Sequence, residues 1–367
     1  MKKEATGKSL LSRRLLKAKS ARFPYPLPIH YRLLGWMLVM FCAFAFYLGP
    51  LLWILPPFVC LYLSRKVATI ICVSVLILTF SPVKPWPAFR SVFELWYEMF
   101  DFHHNITEEF ATSQRESNNL VILAMHPHGV IPMHGFLWSA FCEQYLPGMY
   151  GFGATTSVVT WLPVLRQLLG WLSAGSADKH VLLRGMQKGG ENLFILPGGV
   201  AEIFMSKRNL ADKNIHTIKG KRYGLMKLAL QTGASIIPLY VFGGTEFFDQ
   251  IATVGESAQS GSSVGRFLQS FSRRMKGGMT LFWGQYGTVF PYCPKVSFVF
   301  GDPIVPVPGT EGRERNMDGS KVTCQKIENP TQEQVEELMD RYTGSLRQLF
   351  DQYKDQAGYK NDELKIE

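Results

Sequence analysis

The sequence predicts an α/β protein, a sheet covered by helices, with an apolar helical hairpin near its N-terminus. Short apolar runs recur at residues 120–125, 149–154, 193–196, 235–242 and 296–300. Patterns with helical spacing fall between them, at about 135–145, 161–172, 178–188 and 222–232. Alternation of this kind argues for buried strands joined by helical crossovers. Ahead of it all, the 48 residues from 33 to 80 carry only two charges, Arg65 and Lys66.

Residues 1–32 form a basic segment, with nine Lys or Arg against Glu4. They hold most of the +10 net charge, since the remainder has 30 basic and 28 acidic side chains. A nucleic-acid binder would spread its basic residues over a folded face, so nucleic acid is not an expected partner. A basic cluster just before an apolar block instead marks the cytosolic side and favours anionic membrane lipids. The block 33–80 exceeds the roughly 20 apolar residues of one span, enough for two transmembrane helices or a membrane-embedded hairpin. Gly49-Pro50 and Pro56-Pro57 interrupt it. Either arrangement returns the chain to the cytosol. Some thirty mostly polar residues precede the block, which argues against a cleaved signal peptide.

Residues 84–358 have the composition of a cytosolic globular domain, and 359–367 read as a tail. The six cysteines show no Cys-x-x-Cys spacing, so neither a disulfide framework nor a zinc site is signalled. On a cytosolic face the Asn105-Ile-Thr107 sequon stays unused. Residues 255–265 and 306–330 read as loops. Thr331 and Gln334 form a capping box, and Val335, Leu338, Tyr342, Leu346 and Tyr353 then continue one helical face until Gly358.

Three motifs carry chemistry. The run Leu120–Met125 ends in His126-Pro127-His128-Gly129, which delivers two proton-transfer groups to the rim of a sheet. Two other readings stay open, a turn with ordinary histidines and a His-x-His metal pair, although no further ligands accompany the pair. His134 is taken as a structural neighbour, and His103-His104 as solvated. In the second motif, Leu193–Leu196 leads into Pro197-Gly198-Gly199 and Glu202. Paired glycines expose N–H groups suited to an oxyanion, and Glu202 is placed to orient a histidine. The plain alternative is a strand-to-helix turn with an acidic first turn. Third, Lys219, Lys221 and Arg222 cluster at a helix start, where cations oppose the helix dipole. They suit a phosphate-bearing ligand or, equally, a solvated basic loop at the membrane. Gly261-Ser-Ser263-Val-Gly265 and Gly151-Phe-Gly153 match known patterns only in part and are set aside.

Together these motifs resemble the type-2 diacylglycerol acyltransferase family, over roughly residues 30–358. The resemblance rests on His126–Gly129, on Gly198–Glu202 preceded by Lys188-Gly-Gly-Glu-Asn192, and on Arg222-Tyr-Gly-Leu225. Ile237-Pro-Leu-Tyr-Val-Phe-Gly243, Gly301-Asp-Pro-Ile304 and Leu349–Lys354 complete it. It departs where Gly244-Thr245 precede Glu246 and around Met133-His-Gly135, which bears on the acceptor more than on the reaction class. The resemblance implies a glycerolipid-acyltransferase-like sheet and transfer from fatty acyl-CoA to a neutral glycerolipid hydroxyl, diacylglycerol first. Monoacylglycerol or a long-chain alcohol is the alternative acceptor, and a non-catalytic lipid-droplet or membrane scaffold the different-class alternative. It also implies an endoplasmic-reticulum membrane protein, also placed at lipid droplets, with no metal and no cofactor beyond acyl-CoA as co-substrate. A homo-oligomer is left open. Related acyltransferases pair their histidine with an aspartate five residues on, but Ile131 and Met133 stand at those positions here, so Glu202 becomes the expected partner. Some family members carry Glu at the position of His126, so the general base is assigned to His128 ahead of His126. Gly129, Gly198 and Gly199 form the turns and oxyanion donors, and Lys219, Lys221 and Arg222 meet acyl-CoA.

Overall fold

The structure is a computed structural model and describes residues 9–205, 214–251, 270, 272, 274, 277–278 and 280–367. It is mixed α/β, built on one eight-stranded sheet. In chain order the strands are β1 (Leu16–Lys17), β2 (His103–His104), β3 (Val121–His126), β4 (Phe152–Thr155), β5 (Ala174–Ser176), β6 (Leu193–Ile195), β7 (Ser235–Phe242) and β8 (Ser297–Phe300). Across the sheet they lie in the order β1-β2-β8-β7-β3-β6-β4-β5. Strands β7, β3, β6, β4 and β5 are parallel, and β8 runs antiparallel to β7.

Every residue of β3 and β7 is buried, as a parallel sheet covered on both faces requires. Successive side chains of β3 supply opposite cores. Leu123 and Met125 join Phe136, Phe141 and Phe298 on one face; Ile122 and Ala124 join Leu228, Leu346 and Phe350 on the other. The first face is covered by the Met133–Tyr145 helix, the second by the Tyr223–Thr232 and Gln332–Ala357 helices. The last of these begins on the expected Thr331–Gln334 capping box and ends at Gly358.

The apolar block folds into α1 (Ile29–Tyr62) and α2 (Arg65–Phe80), which pack on each other. The chain turns at Leu63–Ser64. Gly49-Pro50 and Pro56-Pro57, expected as the breaks, lie inside α1. The domain holds the first half of the helix, where Trp36 stacks on Phe290, Tyr47 on Phe282, and Val39, Cys42 and Ala43 are buried; past Pro50, Trp53 donates to the Trp161 carbonyl. The Ile29–Pro56 stretch is long and apolar enough to cross a membrane. The 16 residues of α2 extend about 24 Å at 1.5 Å per residue, short of the roughly 30 Å hydrocarbon core. Phe41, Phe44, Ile54, Phe58, Leu61 and Ile70 stand exposed on this pair.

Several segments differ from expectation. His103-His104 is not solvated: it forms β2 between β1 and β8, and His104 is buried. Residues 359–367 are not a loose tail, because Glu363–Ile366 pairs in parallel with Ile215–Ile218 and Asp362 is buried. The basic segment joins the sheet through β1. Three of its cations are held by the domain, in the pairs Lys17–Asp101, Arg22–Glu94 and Arg32–Glu98. Within 306–330, Glu314–Arg315 and Val322–Thr323 make a small ribbon. The segment 255–265, with Gly261–Gly265, lies outside the described residues.

Candidate active site

In open α/β sheets, the turns after the carboxyl ends of parallel strands gather the functional groups. Here β3 ends at His126, in register with Tyr240 of β7, and the adjoining β6 ends three residues before Gly198. The motifs 126–129 and 198–202 therefore meet at the carboxyl end of adjoining strands, although 68 residues separate them.

Two glycines allow the approach. Gly129 has φ +70°, and a Cβ there would sit 2.6 Å from the Gly244 carbonyl oxygen. At Gly198 a Cβ would lie 1.7 Å from the Glu202 carboxyl carbon, so only glycine lets that carboxylate fold back over the turn. Gly199 also has positive φ, and its N–H donates to the Leu196 carbonyl (3.1 Å), a bond that an oxyanion would have to share.

Glu202 is the hub. One carboxylate oxygen accepts from His126 Nδ1 at 2.8 Å and from the Lys219 backbone N–H at 2.8 Å. The other accepts from the His128 backbone N–H at 2.7 Å. The expected carboxylate partner thus reaches both histidines, but in different ways: it meets the ring of His126 and only the main chain of His128. The His128 ring is half-buried and donates from Nδ1 to the Gly129 carbonyl at 2.8 Å, which leaves Nε2 as its lone pair. His126 is fully buried, and its Nε2 has no hydrogen-bond partner.

Burial alone would raise the Glu202 carboxyl, but His126 and the two backbone N–H donors outweigh it and hold the group below its usual range. Burial also lowers the His128 pKa, only partly offset by the Gly129 carbonyl and the Glu202 charge. Both effects keep the resting site as a carboxylate beside a neutral His128 ring. His134 is buried under the turn, and burial pushes it down to about 3, so it stays neutral there. As for a metal pair, His126 Nδ1 is already engaged by Glu202. Among the described residues no three His, Cys, Asp or Glu side chains cluster as ligands.

The basic helix start supports the turn. Arg222 donates to the Gly198 carbonyl at 2.5 Å, Lys219 pairs with Glu367, and Lys221 is exposed. Sequence reasoning missed a second buried chain beside the site. Tyr240 Oη meets His216 Nδ1 at 2.9 Å, and His216 Nε2 meets Asp362 at 2.7 Å. Only the strand register, which sets Tyr240 beside His126, reveals it. Tyr342, on the Gln332–Ala357 helix, places its ring 6.2 Å from that of His126.

Known proteins of one family resemble this chain in sequence. The family model for diacylglycerol acyltransferase matches residues 88–367. Diacylglycerol O-acyltransferase 2-like protein 6 of Mus musculus is 30% identical over 266 residues, covering 68% of this chain and 70% of that protein. Diacylglycerol O-acyltransferase 2 of Homo sapiens is 28% identical, over 66% of this chain and 59% of its own. Acyl-CoA wax alcohol acyltransferase 2 of Homo sapiens is 29% identical, over 67% and 69%. No solved structure matches the chain. A match covering all three motifs and every strand of the sheet but β1 makes this chain a member of the diacylglycerol acyltransferase family.

Proposed function

We infer that the protein is an acyl-CoA-dependent O-acyltransferase acting on a neutral lipid hydroxyl, with diacylglycerol as the acceptor and triacylglycerol as the product. The observation that carries this reading is the placement of Glu202, which bridges the His126 ring and the His128 main chain at the strand edge. His128 is the general base, because its ring is the more exposed of the two and its lone pair lies on Nε2. It takes the acceptor's hydroxyl proton as the oxygen attacks the thioester carbonyl. The tetrahedral oxyanion is held by N–H groups of the glycine turns at 129 and 198–199. When the C–S bond breaks, the leaving thiolate takes that proton from the His128 imidazolium, giving ester and CoA thiol. Glu202 stabilises the transient imidazolium and fixes the main chain that carries it. No step in this scheme uses a metal.

Membrane attachment is supported by the length and apolarity of α1 and by the exposed apolar side chains of α1 and α2; we place the sheet on the cytosolic side of the endoplasmic reticulum or of lipid droplets. Membranes carrying the full chain are supplied with labelled acyl-CoA and, in parallel, diacylglycerol, monoacylglycerol or fatty alcohol. Labelled triacylglycerol is expected, and His128→Ala should abolish it. Product from alcohol alone would reassign the acceptor, and product from none would favour a scaffold. A second reading, with His126 as the base, is favoured by its Glu202-bonded Nδ1 and unpartnered Nε2. Near-normal turnover by His128→Ala together with loss in His126→Ala would establish it.

A further inference from the structure

One cavity lies apart from the turn at 126–129, and neither His126 nor His128 lines it. It lies beyond the edge strand β5 and has a volume of about 820 Å³, within the range of small-molecule sites. Its lining is largely apolar, with Phe152, Leu169 and Val181, and includes Val83 and Pro85 just after α2. Arg166, Arg184 and Lys188 line it against a single carboxylate, Glu191. Arg184 and Lys188 are exposed, and neither makes an ion pair among the described residues, whereas Arg166 donates to the Ser81 carbonyl and so ties the cavity wall to the base of α2.

An apolar chamber with surplus cations fits a phosphate-bearing amphiphile. The three cations of the helix start at 219–222 fit less well: Arg222 is engaged by Gly198 and Lys219 by Glu367. At about 4.8 Å per strand, β4 and β5 lie roughly 10 and 15 Å across the sheet from β3, where His126 and His128 stand. The pantetheine arm of CoA spans a comparable distance between its thioester and its phosphates.

We propose that this cavity receives the nucleotide-phosphate end of the acyl-CoA, with Arg184 and Lys188 meeting the phosphates while the thioester reaches the histidines. The assignment rests on the acyltransferase reading above. The test compares kcat/KM for palmitoyl-CoA with that for palmitoyl-pantetheine, which lacks the phosphates, using the full chain in membranes with saturating diacylglycerol. The ratio cancels any general folding defect. In the double variant Arg184→Glu/Lys188→Glu the ratio should fall by about tenfold, the effect of losing charge-assisted contacts in a partly exposed site. An unchanged ratio overturns the proposal. So does a drop in Lys221→Glu but not in the double variant, which would return the phosphates to the basic helix start. A change only in the dependence on phosphatidylserine content of vesicles would give the cavity to a lipid headgroup and overturn the CoA assignment. If wild-type membranes transfer no acyl group to any acceptor, the proposed function fails instead. The cavity is then tested by equilibrium binding of palmitoyl-CoA to the purified chain, where equal affinity in wild type and double variant overturns it.

Discussion

Replacing Glu202 by Gln changes almost no volume but removes the charge and one acceptor. The native carboxylate, 1% exposed, accepts from three donors: His126 Nδ1, the His128 N–H and the Lys219 N–H. An amide has one oxygen. In its best orientation that oxygen keeps His126 and Lys219, and its NH₂ group then faces the His128 N–H, donor against donor. A lost charge-assisted bond with a buried donor left over costs about 2–3 kcal/mol. The imidazolium formed in the transition state also loses its counter-charge. Together these should lower kcat by about 10²–10³-fold, at roughly 1.4 kcal/mol per tenfold.

The pH profile separates a role in the chemistry from one in folding. The His128 pKa is already below the ordinary histidine value, so the acid limb of kcat/KM should lie below pH 6.5. The Glu202 charge raises that pKa, so Glu202→Gln should shift the acid limb of its residual activity to still lower pH. Acyl transfer is measured in membranes between pH 5 and 8, beside a thermal melt of the detergent-solubilised chain. A folded variant with more than half the wild-type kcat, or an acid limb that moves upward, refutes the reasoning.

Other consequences follow from the same geometry. Gly129→Ala puts a Cβ 2.6 Å from the Gly244 carbonyl in a positive-φ conformation, so about 1–3 kcal/mol of strain and a large loss of kcat are expected; unchanged turnover would show that the turn relaxes freely. Truncation after Gly358 removes the strand partner of Ile215–Ile218, leaves buried His216 without Asp362 and frees Lys219. It should destabilise the domain by about 3 kcal/mol or more and lower Tm by several degrees, whereas a dispensable tail would leave Tm unmoved.

Much of this was legible in the chain. Largely apolar runs at 120–125 and 235–242 mark strands buried on both faces. The capping box at Thr331 fixes a helix start because its two bonds are local. The motifs 126–129 and 198–202 are legible as candidate sites because each joins an apolar strand to residues that no strand needs. Less was visible where the determining contacts are distant. Gly49-Pro50 and Pro56-Pro57 look like breaks, yet α1 runs through both, and beside the first of them Tyr47 stacks on Phe282. His103-His104 looks polar and solvated, yet pairing with β8 buries His104.

By itself, the sequence determined the fold class, the apolar N-terminal block and the chemical identity of the site residues, since these depend on local composition and period. Tertiary structure alone decided which groups meet. Strand order sets β3 beside β6, so Glu202 reaches the ring of His126 and the main chain of His128. The same order leaves the basic cavity at β5, two strands further out, and register places Tyr240 against His126. Spacing along a chain does not encode such neighbours, because the pairing of distant strands is chosen by the whole buried core.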